Sequence, residues 1–257
     1  MAVNHQAAPL LRIEHLSKAF DGIQALNDVS FSVGAGELVA LIGPNGAGKT
    51  TCFNVVNGQL EPDAGSVWLA GERIDGLPPQ RVAMAGVGRT FQTAATFASM
   101  TARENVQLAL LAGSGEYVVL AHRLATARRS EADALLARVG AGSFAEQVCA
   151  SLSYADVKRV EFAIALAQRE GAPRLLLMDE PTAGTAPRDR GPVMELVEAL
   201  VRDTGVATLF TEHDVDVVFR FAARVIVLDR GRIIADGPPA SVRADPRVQA
   251  VYLGTEA

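Results

Sequence analysis

The nine residues from Gly43 to Thr51, which read GPNGAGKTT, constrain the fold of this chain more than any other stretch. They match the pattern GxxxxGK(S/T), in which glycines let backbone N–H groups turn inward around phosphate oxygens. The apolar stretch ELVALIG precedes the loop and predicts a buried parallel strand. A helix is predicted from about Lys49 to Val56, and its positive N-terminus would face the same anion. The stretch therefore predicts a strand–loop–helix unit that binds phosphate.

Two side chains of this loop carry distinct chemistry. Lys49 can bring a compact positive charge to the terminal phosphates of a nucleotide, and the hydroxyl of Thr50 can bind Mg²⁺. We expect the nucleotide-binding residues to be Gly43, Asn45, Gly46, Ala47, Gly48, Lys49, Thr50 and Thr51. A glycine-rich turn without a ligand is the alternative interpretation, and the flanking strand and helix count against it.

A second group of candidates follows two further predicted strands. The apolar stretch RLLLM is followed by the carboxylates of Asp179 and Glu180, at the end of a strand, where open α/β sheets bind ligands. Asp179 is suited to bind Mg²⁺, and Glu180 could orient or deprotonate an attacking water. His213 follows VATLFTE, and its ring N–H could donate to a γ-phosphate oxygen. Taken alone, the Asp179–Glu180 pair could be an ordinary acidic turn after a strand, and His213 could be a structural histidine.

Two weaker candidates complete this set. Gln92, in GRTFQ, ends a predicted strand, and its amide could contact Mg²⁺ or water, although a loop glutamine is usually solvated. Phe20 ends a strand-like segment upstream of the phosphate loop. It could belong to the core or could stack on adenine, a contact worth ~1–3 kcal/mol.

Strands alternate with helices along the chain, which predicts an α/β core with a parallel sheet. LRIEHLSKAF and DVSFSV have the alternation of half-buried strands, and GSVWLAGERI predicts a hairpin around Gly71. From about Phe97 to Gln168 the pattern is mainly helical, and Thr101 with Glu104 predicts a capping box. Further helices are predicted near 192–203 and in DPRVQAVYLG. The helical middle is therefore interpreted as an inserted subdomain.

Composition excludes several classes of protein. The net charge of −5, without a basic block, argues against a general nucleic-acid binder. No apolar run approaches the ~18 residues of a membrane-spanning helix, and the N-terminus lacks the apolar core of a signal peptide. Two cysteines, Cys52 and Cys149, indicate a reducing compartment. A cytosolic protein is therefore expected.

In combination, these elements resemble the nucleotide-binding subunit of ATP-binding-cassette (ABC) transporters over nearly the whole chain. The resemblance implies an α/β fold: a P-loop NTPase cassette with a RecA-like parallel-sheet core, an antiparallel β subdomain and an inserted helical subdomain. Residues 1–257 would form one ATP-binding domain, with about 1–91 and 169–257 as the core and about 92–168 as the helical subdomain. The phrases RTFQTAATFASMTARENV, AGTAP and DPRVQAVYLG resemble more narrowly the cassettes of branched-chain amino-acid importers.

The resemblance assigns a motif to each candidate and implies an ATPase that uses ATP and Mg²⁺. It identifies the A-loop as Phe20, the Walker A loop as Gly43 to Thr51, the Q-loop as Gln92, the Walker B pair as Asp179 and Glu180, and the switch histidine as His213. The metal ligands would be Thr50, Gln92 and Asp179, and the catalytic residues Glu180, His213 and Gln92.

The stretch LSYADVKRVEFAIALAQ falls where this family carries its signature, Leu-Ser-Gly-Gly-Gln, which faces the ATP of a partner cassette. Ser153 and the helix N-terminus remain as donors to the partner's ATP. Tyr154 is familiar in the branched-chain amino-acid branch, but Ala155 replaces an expected glycine. Its methyl group fills space where backbones approach closely, and alanine tolerates a positive φ less well. We therefore expect a degenerate signature.

The resemblance also implies partners. In AGTAP, Thr185 and Ala186 replace the Leu-Asn expected in the D-loop, so an asymmetric heterodimer with a second, different cassette is expected, with a homodimer as the alternative. Transmembrane permease subunits and, indirectly, a solute-binding protein would complete an amino-acid importer on the inner face of the cell membrane. No nucleic-acid partner is expected. A non-transport ABC-type ATPase and a low-activity regulatory nucleotide-binding cassette remain the alternative functions.

Overall fold

The computed structural model describes residues 8–90, 96–114, 127–167 and 173–253. Within these residues the strands form two sheets. The first sheet is antiparallel and consists of β1 (Leu11–Phe20), β2 (Ile23–Val33), β4 (Ala64–Leu69) and β5 (Glu72–Arg73). Its strand order is β2-β1-β4-β5.

The second sheet carries the predicted phosphate loop. It consists of β3 (Leu38–Ile42), β6 (Val87–Thr90), β7 (Leu175–Asp179), β8 (Ala207–Thr211), β9 (Arg224–Asp229) and β10 (Arg232–Gly237), in the order β10-β9-β3-β8-β7-β6. Neighbouring strands are parallel except β10, which is antiparallel to β9. Because β3, β8 and β7 are adjacent and parallel, the loops at their carboxyl ends meet at one edge of the sheet.

The helices cover the second sheet and fill the middle of the chain. They are α1 (Lys49–Val56), α2 (Pro79–Ala85), α3 (Ala102–Ser114), α4 (Arg129–Arg138), α5 (Tyr154–Leu166), α6 (Pro187–Thr204), α7 (Val215–Phe221), α8 (Pro239–Arg243) and α9 (Pro246–Leu253). Among the described residues between β6 and β7, the helices α3, α4 and α5 pack on one another. No described helix combines the length and apolar character needed to cross a membrane.

The six-stranded sheet separates two apolar cores. Along β3, Leu38, Ala40 and Ile42 belong to the core that includes side chains of α5, α6 and α7. Val39 and Leu41 face the other core, which is shared with α1 and the antiparallel sheet. A parallel strand that is buried on both faces is expected to be continuously apolar, as this one is.

The sequence predicted much of this secondary structure. The predicted helix from Lys49 to Val56 agrees with α1 at both ends. The capping box is confirmed, since the Thr101 N–H donates to Glu104 Oε2 at 2.8 Å and the Glu104 N–H donates to Thr101 Oγ1 at 3.2 Å. The predicted hairpin around Gly71 is formed by β4 and β5.

Two helix assignments from the sequence were wrong or incomplete. The helix expected to begin near Pro192 begins five residues earlier, at Pro187. Proline is favourable in the first turn of a helix, because its missing N–H costs no hydrogen bond there. Pro192 therefore lies inside α6. The short helix α8 was not predicted. The limits of the helical subdomain stay a prediction, because residues 91–95 and 168–172 lie outside the described ranges.

Candidate functional site

The phosphate loop connects the end of β3 to the start of α1. Gly48 precedes α1 with a φ of 107°, a conformation that side chains other than glycine rarely adopt. A Cβ atom at this position would also lie 2.4 Å from the carbonyl oxygen of Ala25 on β2. Glycine is therefore required at position 48 both by the turn and by the close approach of the antiparallel sheet.

Lys49 lies across this loop. Its Nζ donates to the carbonyl oxygens of Gly43, at 2.7 Å, and Pro44, at 3.1 Å. Burial lowers the pKa of Lys49, and the nearby carboxylates of Glu180 and Asp179 oppose this shift. The ammonium group is thus held at the mouth of the loop by backbone oxygens, between the loop and two carboxylates.

Asp179 ends β7 and is held by neighbours on both adjacent strands. Its Oδ1 accepts a hydrogen bond of 2.8 Å from Thr211 Oγ1 on β8, and its Oδ2 lies 3.4 Å from a guanidinium nitrogen of Arg89 on β6. Arg89 also donates to Asn54 and Gln59, and burial lowers the pKa of Arg89 while Asp179 raises it. Sequence reasoning missed this residue, whose signal was a lone charge in the short strand VGRT.

Glu180 follows with a φ of 51°, in the left-handed region. Its N–H donates to the backbone and side-chain oxygens of Thr211, at 3.1 and 3.2 Å. Its Oε1 lies 2.8 Å from His213 Nε2. A non-glycine residue in this region costs on the order of 1–3 kcal/mol, and the hydrogen bonds to Thr211 help to hold it there. The two predicted residues are therefore brought into direct contact by the adjacent strands β7 and β8.

One cavity of about 330 Å³ unites most of the predicted site. It is lined by Ala25, Asn45, Gly46, Ala47, Gly48, Lys49, Thr50, Thr51, Asp179, Glu180 and His213. The backbone of the loop and the start of α1 supply donors for an anion. The hydroxyl of Thr50 and the carboxylate of Asp179 are hard oxygen ligands on the same cavity, and this donor set fits Mg²⁺, which usually takes one or two protein oxygens beside phosphate and water.

Four predicted residues do not line this cavity or cannot be placed, and one of them, Ser153, belongs to the signature segment described below. Phe20 ends β1, with 42% of its surface exposed, and is paired across the hairpin with Ile23. Its partner Ile23 lies on β2, two residues before Ala25, which lines the cavity. Gly43 contributes its carbonyl oxygen to Lys49 instead of facing the cavity. Gln92 falls in a stretch that the structure does not describe.

The signature segment opens α5. Ser153 is the N-cap: its Oγ accepts from the Asp156 N–H at 3.2 Å and donates to Asp156 Oδ2 at 2.6 Å. Tyr154 and Ala155 are the first two residues of the helix, and Ala155 does not have a positive φ. The poorer tolerance of alanine for a positive φ therefore does not matter at this position, because the helix begins before it. Its methyl group remains the difference from glycine.

The loop after Glu180 is tied to the loop after β8 by a residue that the sequence did not reveal. The buried carboxylate of Glu212 accepts hydrogen bonds from the N–H and the hydroxyl of Thr182, at 2.7 and 2.6 Å. The unexpected Thr185 is also buried, and its hydroxyl donates to the Thr182 carbonyl at 2.6 Å. Ala186 is extended and precedes α6. Thr185 and Ala186, which differ from the residues expected in the D-loop, therefore both lie in an ordered loop.

Comparisons with known proteins agree over most of the chain. Residues 26–183 match a family model described as "ABC transporter", and residues 232–257 match one described as "Branched-chain amino acid ATP-binding cassette transporter". The branched-chain amino acid transport ATP-binding protein BraF of Pseudomonas aeruginosa is 36% identical over 253 residues, covering 96% of this chain and 98% of BraF. The lipopolysaccharide export ATP-binding protein LptB of Haemophilus influenzae is 34% identical, with the same coverage.

Solved structures show the same similarity. The ATP-binding cassette MJ1267, in its ADP conformation, aligns with a TM-score of 0.85 and 30% identity, covering 96% of this chain and all of that one. A dimeric structure of the cassette MJ0796 with bound ADP and Pi aligns with a TM-score of 0.72 and 26% identity, covering 89% of this chain and 98% of that one.

Proposed function

Since the chain belongs to the ABC transporter family and is an ATPase coupled to transport, we propose that it drives the import of branched-chain or other amino acids. Two observations support this solute class. The C-terminal residues 232–257 match the model of branched-chain amino-acid cassettes, and BraF, a protein of that name, matches over nearly its full length. LptB is similar to almost the same degree, so overall identity does not select the solute, and the proposal rests on the match of residues 232–257.

The observation that carries the catalytic proposal is the shared cavity. Lys49 and the backbone of the phosphate loop would bind the phosphates of ATP, and Glu180 would orient and deprotonate the attacking water. His213, 2.8 Å from Glu180, would hold that carboxylate and contact the γ-phosphate. Thr50 and Asp179 would hold Mg²⁺, which neutralises phosphate charge when bound.

Three remaining residues receive roles from the family alone. Gln92 would contribute its amide to Mg²⁺ or to water, and Phe20, half exposed at the edge of the antiparallel sheet, would stack on adenine. Ser153 is exposed at the start of α5, where its hydroxyl and the helix N-terminus could reach the γ-phosphate of a partner cassette. The core and the helical subdomain would divide near residues 92 and 168.

A surface beside the helical segment suits a membrane partner. An apolar groove of about 440 Å³ lies between α2 and α3, lined by Pro79, Gln80, Ala83, Met84, Ala109, Ala112 and Gly113. Met84 and Phe97 each expose 60% of their surface. An apolar groove between helices, with an exposed apolar side chain such as Met84 in its lining, is typical of a site that receives a helix. A short cytoplasmic helix of a permease subunit is the proposed occupant.

The full assembly would contain a second cassette, two permease subunits and a solute-binding protein that delivers the amino acid. The second cassette would be a different chain with an intact signature, because the signature and the D-loop, which carry the altered residues of this chain, would face the partner's site in a cassette dimer. The chain would lie at the inner face of the cell membrane, attached through its permease partners.

The catalytic proposal is tested by two substitutions in the full chain. Lys49→Ala removes a charge-assisted donor worth about 1.5–3 kcal/mol, so ATP affinity should fall by roughly tenfold or more. Glu180→Gln keeps the shape of the side chain and loses its basicity, so ATP should stay bound while turnover falls at least about 100-fold. Equilibrium binding of a labelled ATP analogue and phosphate release measure the two effects.

Glu72→Gln is the matched control, because Glu72 is an exposed carboxylate on β5, away from the cavity. It should bind and hydrolyse ATP like the wild type. Unchanged ATP affinity in Lys49→Ala would refute the assignment of the phosphate loop, and wild-type turnover in Glu180→Gln would remove Glu180 from the mechanism.

A further inference from the structure

The ring of Tyr154 crosses from the start of α5 to the loop that follows β7. A Cβ atom placed on Gly184 would lie 2.7 Å from Tyr154 Cζ and 2.9 Å from its hydroxyl oxygen. These distances are far below normal van der Waals contact. The ring therefore covers the Cα of Gly184 directly, and Gly184 itself has a φ of 76°, which favours glycine.

The ring is fixed on the side of α5 by a buried charge. Lys158 Nζ lies 5.4 Å from the centroid of the Tyr154 ring, within the range of a cation–π contact. Lys158 also forms an ion pair of 2.9 Å with Glu161, and both side chains are almost completely buried. Because this pair is immobilised in the core, the ring that contacts it is attached to the body of α5.

On its other side, the ring contacts a compact turn. The N–H of Ala183 donates to the carbonyl oxygen of Glu180 at 2.9 Å, and the N–H of Thr185 donates to that of Thr182 at 3.1 Å. With the hydroxyl bond of Thr185 to Thr182, these contacts make the stretch from Glu180 to Thr185 a single ordered unit. A change in the position of Gly184 should therefore also move the backbone of Glu180.

Glu212 extends this unit to His213. While one oxygen of Glu212 accepts from Thr182, the other accepts from the N–H of His213 at 3.2 Å. His213 in turn contacts Glu180. The path from Tyr154 reaches Gly184, then its neighbour Thr185, and then Thr182 and Glu212, and it ends on the Glu180–His213 pair. Each step is a contact between described residues or a peptide bond.

We propose that Tyr154 is a positioning residue for ATP hydrolysis: its ring fixes the loop from Glu180 to Thr185 and so places Glu180 and His213 of the same chain. The inference rests on the proposed roles of Glu180 and His213. It also gives Tyr154 a function at the position where the family signature has glycine, within its own chain and separate from any contact with a partner's ATP.

The test compares three substitutions in the full chain, assembled with its transporter partners. Tyr154→Ala removes the ring and should lower kcat by about tenfold or more, since small displacements of catalytic groups have such effects. ATP affinity should change little, because the phosphate loop is not part of the path. Tyr154→Phe keeps the ring and should restore kcat. Val148→Ala, at a side chain with the same 40% exposure just before α5, should behave like the wild type.

A double-mutant cycle isolates the contact itself. Gly184→Ala places a methyl group against the ring, so it should reduce kcat more in the wild type than in Tyr154→Ala, where the ring is gone. The strain of alanine at a positive φ is common to both backgrounds and cancels. Equal losses in both backgrounds, or wild-type kcat in Tyr154→Ala, would overturn the proposal.

Hydrogen exchange separates this proposal from the proposed function. In the full chain without nucleotide, Tyr154→Ala should speed exchange of the Ala183 and Thr185 amides, while α1 amides stay unchanged. If the wild-type complex failed to hydrolyse ATP, the proposed function would fail, yet the exchange result would still show whether Tyr154 orders this loop. Unchanged exchange at both amides would count against the proposal even in an active complex.

Discussion

Arg89 contacts Asp179 of the candidate site, and replacing Arg89 by methionine should destabilise the fold by about 3 kcal/mol, the lower end of the range for breaking a buried ion pair. The side chains of Arg89 and Asp179 are only 8% and 14% exposed, so solvent screens their interaction little. Without Arg89, Asp179 keeps the hydroxyl of Thr211 as a partner, and Asn54 and Gln59 each lose a donor. The long 3.4 Å contact places the effect at the lower end.

The pair itself should contribute little net stability. Burial lowers the pKa of Arg89 in spite of the opposing effect of Asp179, so the folded chain disfavours the guanidinium charge relative to water. The loss in Arg89→Met therefore comes mainly from the carboxylate that is left behind. Adding Asp179→Asn removes this charge. The double variant should therefore lose less free energy of unfolding than the two single variants lose together, by about 1.5 kcal/mol or more.

Urea denaturation of the nucleotide-free chain, followed by circular dichroism, measures these free energies. Arg202→Met is the control, because Arg202 and its partner Asp203 are both mostly exposed, and it should change stability by less than about 0.5 kcal/mol. A loss below about 1 kcal/mol in Arg89→Met, with an unchanged denaturant slope, would refute the view that Arg89 compensates a buried carboxylate.

Three further predictions concern the membrane partner, the signature and alkaline pH. A cysteine at Phe97 should crosslink to a cytoplasmic loop of the permease subunit in an active complex; consistent failure would exclude this surface. Ala155→Gly should raise turnover at the partner's ATP site, measured in the heterodimer with Glu180→Gln silencing the other site, whereas no gain would mean that the methyl group is tolerated. Burial raises the pKa of Cys52 and of Tyr252 to about 12. Because the unfolded chain releases these protons at lower pH than the folded chain, stability should fall as pH rises towards 12, and Cys52→Ala with Tyr252→Phe should flatten this loss in urea titrations.

Local patterns predicted those parts of the site that depend on a few consecutive residues. The phosphate loop, with Lys49 at the start of α1, follows from glycine spacing between an apolar strand and a helix. Asp179, Glu180 and His213 were found because strand ends are recognisable in sequence and parallel strands present them at one edge. The contact between Glu180 and His213 depends on β7 and β8 being neighbours, which the sequence did not specify.

The residues that were missed share a different property. Three contacts join residues on separate elements: Arg89 with Asp179, Thr182 with Glu212, and Tyr154 with Gly184. No local pattern predicts these contacts, even where one partner, such as Asp179, was itself predicted. Tyr154 and Ala155 were compared with a family motif, which describes contacts to a partner and not those within the chain. Only the packing of α5 against the loop after β7 shows what Tyr154 contacts.

The position of β3 in its sheet has a consequence for synthesis on the ribosome. Both neighbours of β3, the strands β8 and β9, begin only at Ala207 and Arg224. The strand that precedes the phosphate loop therefore emerges early but cannot be paired until most of the chain has been translated. At ~5–20 residues per second, this apolar strand remains without its partners for roughly ten seconds or longer. Nascent chains should accordingly acquire the ability to bind nucleotide late, and this interval is when chaperones are needed most.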